Sequence, residues 1–196
     1  MQALFDYIVK PIGGRYNNSI DVDGSELLLN TEISNHQYVN REAEILALPK
    51  NIKSNLKVGD TIVVHHNIFR RWYNIRGEEK NSRSYYKDGT YIIKEDQIFL
   101  YKRKDKWKPL KGYCFIQPIK SIDKFDESKE RPLMGVVKYS DGSIKVGDLV
   151  GFTPWSEFEF VVDNIRLYRV LSKDISIKYE YQGDEEEYNP SWAQSS

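Results

Sequence analysis

The sequence predicts an all-β fold built from two related small β-barrel domains in tandem, the second divergent, and three observations carry that expectation. The first is an internal echo: Tyr7-Ile-Val-Lys-Pro-Ile12 returns as Cys114-Phe-Ile-Gln-Pro-Ile119, and Lys57-Val-Gly-Asp60 returns unchanged as Lys145-Val-Gly-Asp148. Residues 41–48 and 95–98 have weaker counterparts at 131–138 and 172–175, in the same order. A repeat of about 90 residues is too long for a solenoid unit and suits a small domain. The second observation is composition. Fourteen Tyr, eight Phe and four Trp accompany abundant Val and Ile, residue types that fit pleated, half-buried strands. The third is periodicity, since no heptads or long amphipathic helices occur.

Along the first half, residues 4–12 alternate and then run apolar, with Pro11 suited to a strand end. Gly13-Gly14 breaks this strand, and 15–40 is rich in Asn, Ser, Asp and Gly around one apolar island, Leu27-Leu28-Leu29. A loop of this length in a small domain is read as functional and mobile, over about 13–40. Residues 42–48 form a strand, 49–54 a turn, and Val58-Gly-Asp60 leads into Thr61-Ile-Val-Val64. A long central hairpin with a solvated tip is expected over about 65–88, with Asp88-Gly89 as a tight turn into strands at 90–93 and 97–101.

Residues 1–101 thus form the first domain and 102–110 a linker. The second domain, 111–180, repeats the plan tersely. Its loop at 120–130 is short and charged, with Ile122 and Phe125 as its only apolar residues. Ser140-Asp-Gly142 reads as a tight hairpin turn, 158–162 and 164–170 as strands, and 181–196 as an acidic flexible tail that frays.

The ordered landmarks resemble the GroES-type co-chaperonin family, in a tandem-repeat, bacteriophage-like version. A family strand of the type D-x-hydrophobic-V-K-P corresponds to Asp6-Tyr-Ile-Val-Lys-Pro11. The strand after the mobile loop corresponds to Ala43-Glu-Ile-Leu-Ala-Leu48, the V-K-V-G-D turn to Leu56-Lys-Val-Gly-Asp60, and the closing strand to Glu95-Asp-Gln-Ile-Phe99. The resemblance covers nearly all of 1–101 and, more weakly, 111–180. It implies that Gly24-Ser-Glu-Leu-Leu-Leu29 occupies the place of the family's apolar triplet, so that Leu27, Leu28 and Leu29 contact a GroEL-type chaperonin. From the residues alone, the Leu triplet reads equally well as a short strand packed on the core.

The resemblance further implies a homo-oligomeric ring that caps an ATP-dependent chaperonin over a non-native protein substrate, such as a phage capsid protein. Three departures stand out: the second repeat lacks an apolar triplet, the excursion at 67–87 is enlarged, and two domains per chain cannot both sit in one seven-domain ring. Seven chains in two tiers, or another stoichiometry, follows. The alternative is a virion structural or capsid-associated protein built on the same β-barrels; a ring with a mobile loop favours the first reading, a monomer or trimer with the loop packed down the second.

Charge and motifs exclude other classes. The chain carries 29 basic and 29 acidic side chains, so no net field draws it to nucleic acid or an anionic membrane. Phe69-Arg-Arg-Trp-Tyr73 with Arg76 and Arg83 interleaves basic and aromatic residues as single-strand binders do, but a hairpin with alternating faces has the same composition. His65-His66 is the one feature resembling a metal site, and adjacent strand residues point to opposite faces, so no metal site is expected. No phosphate loop or nucleophile elbow occurs, and neither catalysis nor a cofactor is expected. Cys114 sits in an apolar run and reads as a buried thiol in a reducing compartment. With no signal peptide and no apolar run of spanning length, the expected location is the cytoplasm, that of the host cell for a phage protein.

Overall fold

A computed structural model of the chain describes residues 3–16, 19–22, 25–28, 39–123, 125 and 129–195. Contacts divide the chain into two compact units, Met1–Lys106 and Trp107–Ser196. The first unit holds β1 (Tyr7–Pro11), β2 (Ser19–Val22), β3 (Ser25–Leu28), β4 (Glu42–Ala47), β5 (Thr61–Val64), β6 (Arg71–Tyr73), β7 (Glu79–Asn81), β8 (Tyr91–Ile93) and β9 (Ile98–Arg103). The chain then turns through Lys104 and Asp105, both at positive φ, into β10 (Lys106–Pro109). The second unit continues with β11 (Tyr113–Lys120), β12 (Glu130–Ser140), β13 (Leu149–Phe152), β14 (Phe158–Val162), β15 (Ile165–Leu171) and β16 (Ile175–Tyr179). The stretch read as a linker is therefore ordered as strand, turn and strand.

The fold is all-β, with antiparallel sheets. One six-stranded sheet runs β10-β9-β5-β4-β1-β8, the other β14-β15-β11-β12-β13-β16. Within them, β8-β1-β4-β5-β9 and β15-β11-β12-β13-β16 are the same succession, so the sequence echo has a counterpart in strand order. Neither sheet closes, which corrects the barrel expectation. Closure needs the two edge strands to pair. In the first sheet β8 is instead extended outward by the Tyr85–Tyr91 bridge, and in the second the edges are β14 and β16, which do not pair.

The repeated Lys-Val-Gly-Asp motif shows why the echo survives. Gly59 and Gly147 adopt φ of +85° and +89°, where a side chain is strained and glycine is not. Each motif then makes the same three bonds. Ile45 N–H donates to the Asp60 carbonyl (3.1 Å), Gly59 N–H to the Ile45 carbonyl (2.8 Å) and Asp60 N–H to the Lys57 carbonyl (3.1 Å). Val137, Gly147, Asp148 and Lys145 repeat them at 3.0, 2.8 and 3.1 Å. Each aspartate meets a cation from its closing strand, Arg103 for Asp60 and Lys178 for Asp148 (2.9 Å). Burial pushes the Asp60 carboxyl up, but the Arg103 guanidinium and the Lys57 N–H outweigh it and hold the group below the usual carboxylate range.

Burial follows the apolar runs. Tyr7, Ile8 and Val9 are all buried, as are Ile45, Ile62, Ile93, Ile98 and Leu100 across the first sheet. In the second unit Ile116, Val137, Val150, Phe152 and Val170 cluster together, while Ile119, Val136 and Leu149 form a separate cluster. Adjacent residues in one strand serve different clusters because successive side chains point to opposite faces. Central strands covered on both sides read as continuous apolar runs for that reason. Cys114 is buried, with its Sγ 3.4 Å from Ser172 Oγ.

Four further local expectations are revised. The central hairpin is shorter than 65–88: β6 and β7 pair Arg71 with Asn81 and Tyr73 with Glu79, and Asn74 Oδ1 closes the tip by accepting the N–H groups of Arg76 (2.9 Å) and Glu78 (3.0 Å). Tyr85 bridges Tyr91 instead of continuing that hairpin. His65 and His66 lie beyond the end of β5, and their rings stack 4.3 Å apart rather than facing opposite ways. Ser140-Asp-Gly142 is not a two-residue hairpin, since β12 and β13 are joined by 141–148.

The last revision concerns the tail. Residues 181–195 are packed on the second unit: Glu187 bridges Ile119, Tyr188 N–H donates to the Pro118 carbonyl (2.8 Å), and Ala193 in the 3-10 helix Ser191–Ser195 is fully buried. The acidic run finds cations within the second unit, as described below.

Candidate functional site

The loop between β1 and β4 is where the sequence points, and the structure shows how its two ends are held. Ile12 N–H donates to the Glu42 carbonyl (3.1 Å), Tyr16 bridges Val39, and Asn40 N–H donates to the Arg15 carbonyl (3.0 Å). Asn40 is the centre of this neck and is only 3% exposed. Its amide nitrogen donates to the carbonyls of Ile12 (2.6 Å) and Gly14 (2.7 Å), while its Oδ1 accepts the Glu42 N–H (2.8 Å). One side chain thus joins the strand entering the loop to the strand leaving it. The bond to the residue two places on is the Asx-turn habit of asparagine.

The neck also rests on the segment 69–81. Arg15 donates from Nε to the Phe69 carbonyl (3.1 Å) and from Nη1 to Asn81 Oδ1 (2.7 Å), and its guanidinium lies 5.6 Å from the Tyr91 ring centre and 5.9 Å from that of Tyr85. The Tyr16 hydroxyl accepts the Arg71 N–H (2.8 Å), and the Arg71 guanidinium sits 5.0 Å over the Tyr16 ring. Such cation–aromatic contacts contribute most when desolvated. Beneath them Phe69 and Tyr91 pack edge to face at 4.8 Å. Burial raises the Tyr91 hydroxyl pKa, the nearby Arg15 charge opposing it. The segment 69–81 therefore buttresses the loop's neck.

Inside the loop β2 and β3 form their own two-stranded sheet, pairing Ser19 with Leu28 and Ile20 with Leu27. Leu27 and Leu28 are thus in a hairpin outside the six-stranded sheet; Leu29 lies outside the described residues. The second unit's loop, between β11 and β12, is closed at its base where Ser121 N–H donates to the Lys129 carbonyl (3.0 Å). Its Ile122 and Phe125 are exposed, Phe125 at 93%.

Sequence reasoning pointed to the Leu triplet and did not single out Arg15, Tyr16 and Asn40, which hold the neck. An Asn two residues before a strand, at the end of a loop that opens on Gly13-Gly14, was the available signal. Among the described residues no group of three or more His, Cys, Asp or Glu is placed to hold a metal ion, and no helix is long and apolar enough to cross a membrane.

Replacing Asn40 by Ala is expected to destabilise the first unit by about 2–3 kcal/mol, because three hydrogen bonds worth about 1 kcal/mol each are lost from the neck. Asn40→Asp keeps the acceptor but sets a carboxylate against two carbonyls, so it should be no milder. Urea unfolding measures the loss, and amide exchange at Ile12 and Glu42 should locate it at the neck.

Compared with protein-family models and with curated proteins, the chain matches none.

Proposed function

We propose that this protein is a co-chaperonin of the GroES-like kind, which caps an ATP-dependent GroEL-type chaperonin and encloses a non-native polypeptide, a phage capsid protein being the suggested client. In this reading the chain forms a homo-oligomeric ring in the cytoplasm, uses no cofactor and performs no catalysis. The two units are divergent copies of one GroES-like domain, and Leu27, Leu28 and Leu29 make the chaperonin contact.

The observation that carries the reading is a loop pinned at both ends by Asn40 while holding an apolar triplet at 27–29. Burying three Leu side chains yields roughly 1.5–3 kcal/mol each. Ordering backbone costs about 1–2 kcal/mol per residue. A single loop of this kind therefore binds weakly. A fixed neck lowers the cost, since fewer residues remain to be ordered, and a ring of loops makes every contact after the first intramolecular. Weak loops on a symmetric ring make a lid that closes and releases.

The shared strand order of the two sheets supports the second unit as a structural copy. The experiment is association with a GroEL-type chaperonin in the presence of ATP, together with sedimentation velocity of the protein alone. A ring that associates fits the proposal; a monomer or trimer that does not associate would favour a virion component.

A further inference from the structure

We propose that residues 184–187 form a salt-sensitive strap that clamps the neck of the second unit's loop and opens without unfolding the unit. The run Asp184-Glu-Glu-Glu187 lies across three cations. Asp184 pairs with Arg131 (3.0 Å), Glu186 with Lys120 (2.6 Å) and Glu187 with Lys138 (2.7 Å). Glu185 faces the other way, accepting the N–H groups of Gln182 (2.7 Å) and Gly183 (2.9 Å). The backbone joins in: Lys120 N–H donates to the Glu186 carbonyl (2.7 Å), and Glu187 bridges Ile119.

Two of the partners define the device. Lys120 ends β11 and Arg131 is the second residue of β12, so they stand on either side of the loop at 121–129. The strap ties both to one segment. In the first unit the corresponding neck is tied by Asn40, which has no counterpart here; an ionic clamp replaces an amide one.

The ends of the strap differ in strength from its middle. Beyond it, Asn189 accepts the Arg166 N–H (3.0 Å) and donates to the Asn164 carbonyl (2.9 Å), and Ala193 is buried. Before it, Gly183 turns the chain at φ +95°. The carboxylates between are solvent-accessible, 51% exposed for Asp184, 70% for Glu186 and 41% for Glu187. Exposed pairs are individually weak and are screened by salt. The Glu130–Arg166 pair beside the neck is largely buried and is screened far less. Rising ionic strength therefore weakens the strap before it weakens the sheet beneath.

Amide exchange by NMR on the full chain tests this. Raising salt shortens the screening length from about 30 Å at 0.01 M to about 3 Å at 1 M. Over that range exchange at Lys120 and Tyr188 should accelerate about tenfold, with Val137 and Gly147 unchanged. The triple variant Asp184→Asn, Glu186→Gln, Glu187→Gln should exchange fast at low salt and lose the salt response. Asp184→Arg with Arg131→Glu should restore protection. Salt-independent exchange at Lys120 and Tyr188 would overturn the proposal. So would Val137 and Gly147 accelerating in step with them, since the segment would then open only with the whole unit.

Discussion

Gly135→Ala is expected to unfold the second unit or to cost it about 3 kcal/mol or more. Gly135 lies in β12, opposite Pro118 of β11 and Val150 of β13, in the middle of the sheet. A Cβ at this position would sit 2.3 Å from the Gln117 carbonyl oxygen and 2.7 Å from Ile116 Cγ2. The first contact is backbone held by neighbours on both sides, so it cannot yield as a side chain would. Relief requires β11 and β12 to separate, which breaks ladder bonds and opens the packing around Ile116, Val137 and Val150. Gly151→Ala is the control. Its Cβ would meet the Tyr179 ring at 2.9 Å, and a ring near a strand end can swing aside. Urea unfolding with amide exchange in β11 and β13 reads both variants. The expected order is Gly135→Ala far worse than Gly151→Ala, and a loss below about 1 kcal/mol at Gly135 would contradict the close approach.

Glu130→Ala should cost about 3 kcal/mol. The Glu130 and Arg166 side chains are 17% and 12% exposed and form an ion pair, and the Tyr168 hydroxyl donates to the other Glu130 oxygen (2.5 Å) while accepting from Arg166 Nη2 (2.6 Å). Glu159 adds a second carboxylate to Arg166 Nε (2.6 Å). Burial pushes the Arg166 pKa down, but the two glutamates outweigh it and the net shift is upward; burial and Glu130 together raise Tyr168. Removing Glu130 leaves a largely buried guanidinium with Glu159 as its remaining carboxylate and the Tyr168 hydroxyl without its acceptor, and that loss of pairing is the main cost. Glu130→Met with Arg166→Met should recover much of the loss, because desolvation of the pair offsets most of its attraction. The exposed pair Lys80–Glu78 gives the contrast, and Glu78→Ala is expected to cost far less than Glu130→Ala. Equal losses at the two sites would contradict the role of burial.

The parts of the fold legible in the sequence are those dictated by local chemistry. Thr61-Ile-Val-Val64 is β5 to the residue, and the paired Lys-Val-Gly-Asp turns announce themselves because their geometry demands glycine. Asp88-Gly89 turns as expected, with Thr90 N–H donating to the Lys87 carbonyl (2.8 Å). What escaped depended on distant partners. Lys104-Asp105 and Asp163-Asn164 both turn at positive φ without glycine, and neither was read as a hairpin. The acidic run at 184–187 has the composition of a solvated tail, and only the placement of Lys120, Arg131 and Lys138 gives it a seat. Barrel closure could not be read either, because it depends on which strand edges meet.

The candidate site divides in the same way. The apolar island at 27–29 stands out against polar neighbours. Asn40 and Arg15 look like ordinary loop polar residues until Ile12, Gly14, Phe69 and Asn81 are brought beside them.

The central claim is that the loop at 13–40 docks on a chaperonin through its leucines. It is tested most directly by co-sedimentation of the protein with a GroEL-type chaperonin, with and without ATP, using Leu28→Asp as the paired variant. In the proposed ring one aspartate enters every loop, so the loss is multiplied across all contacts. The expected result is ATP-dependent association of the wild type, and none for Leu28→Asp at the same concentration and with an unchanged circular dichroism spectrum. Absence of association with several chaperonins, the native host's among them, or association that survives Leu28→Asp, would contradict the claim.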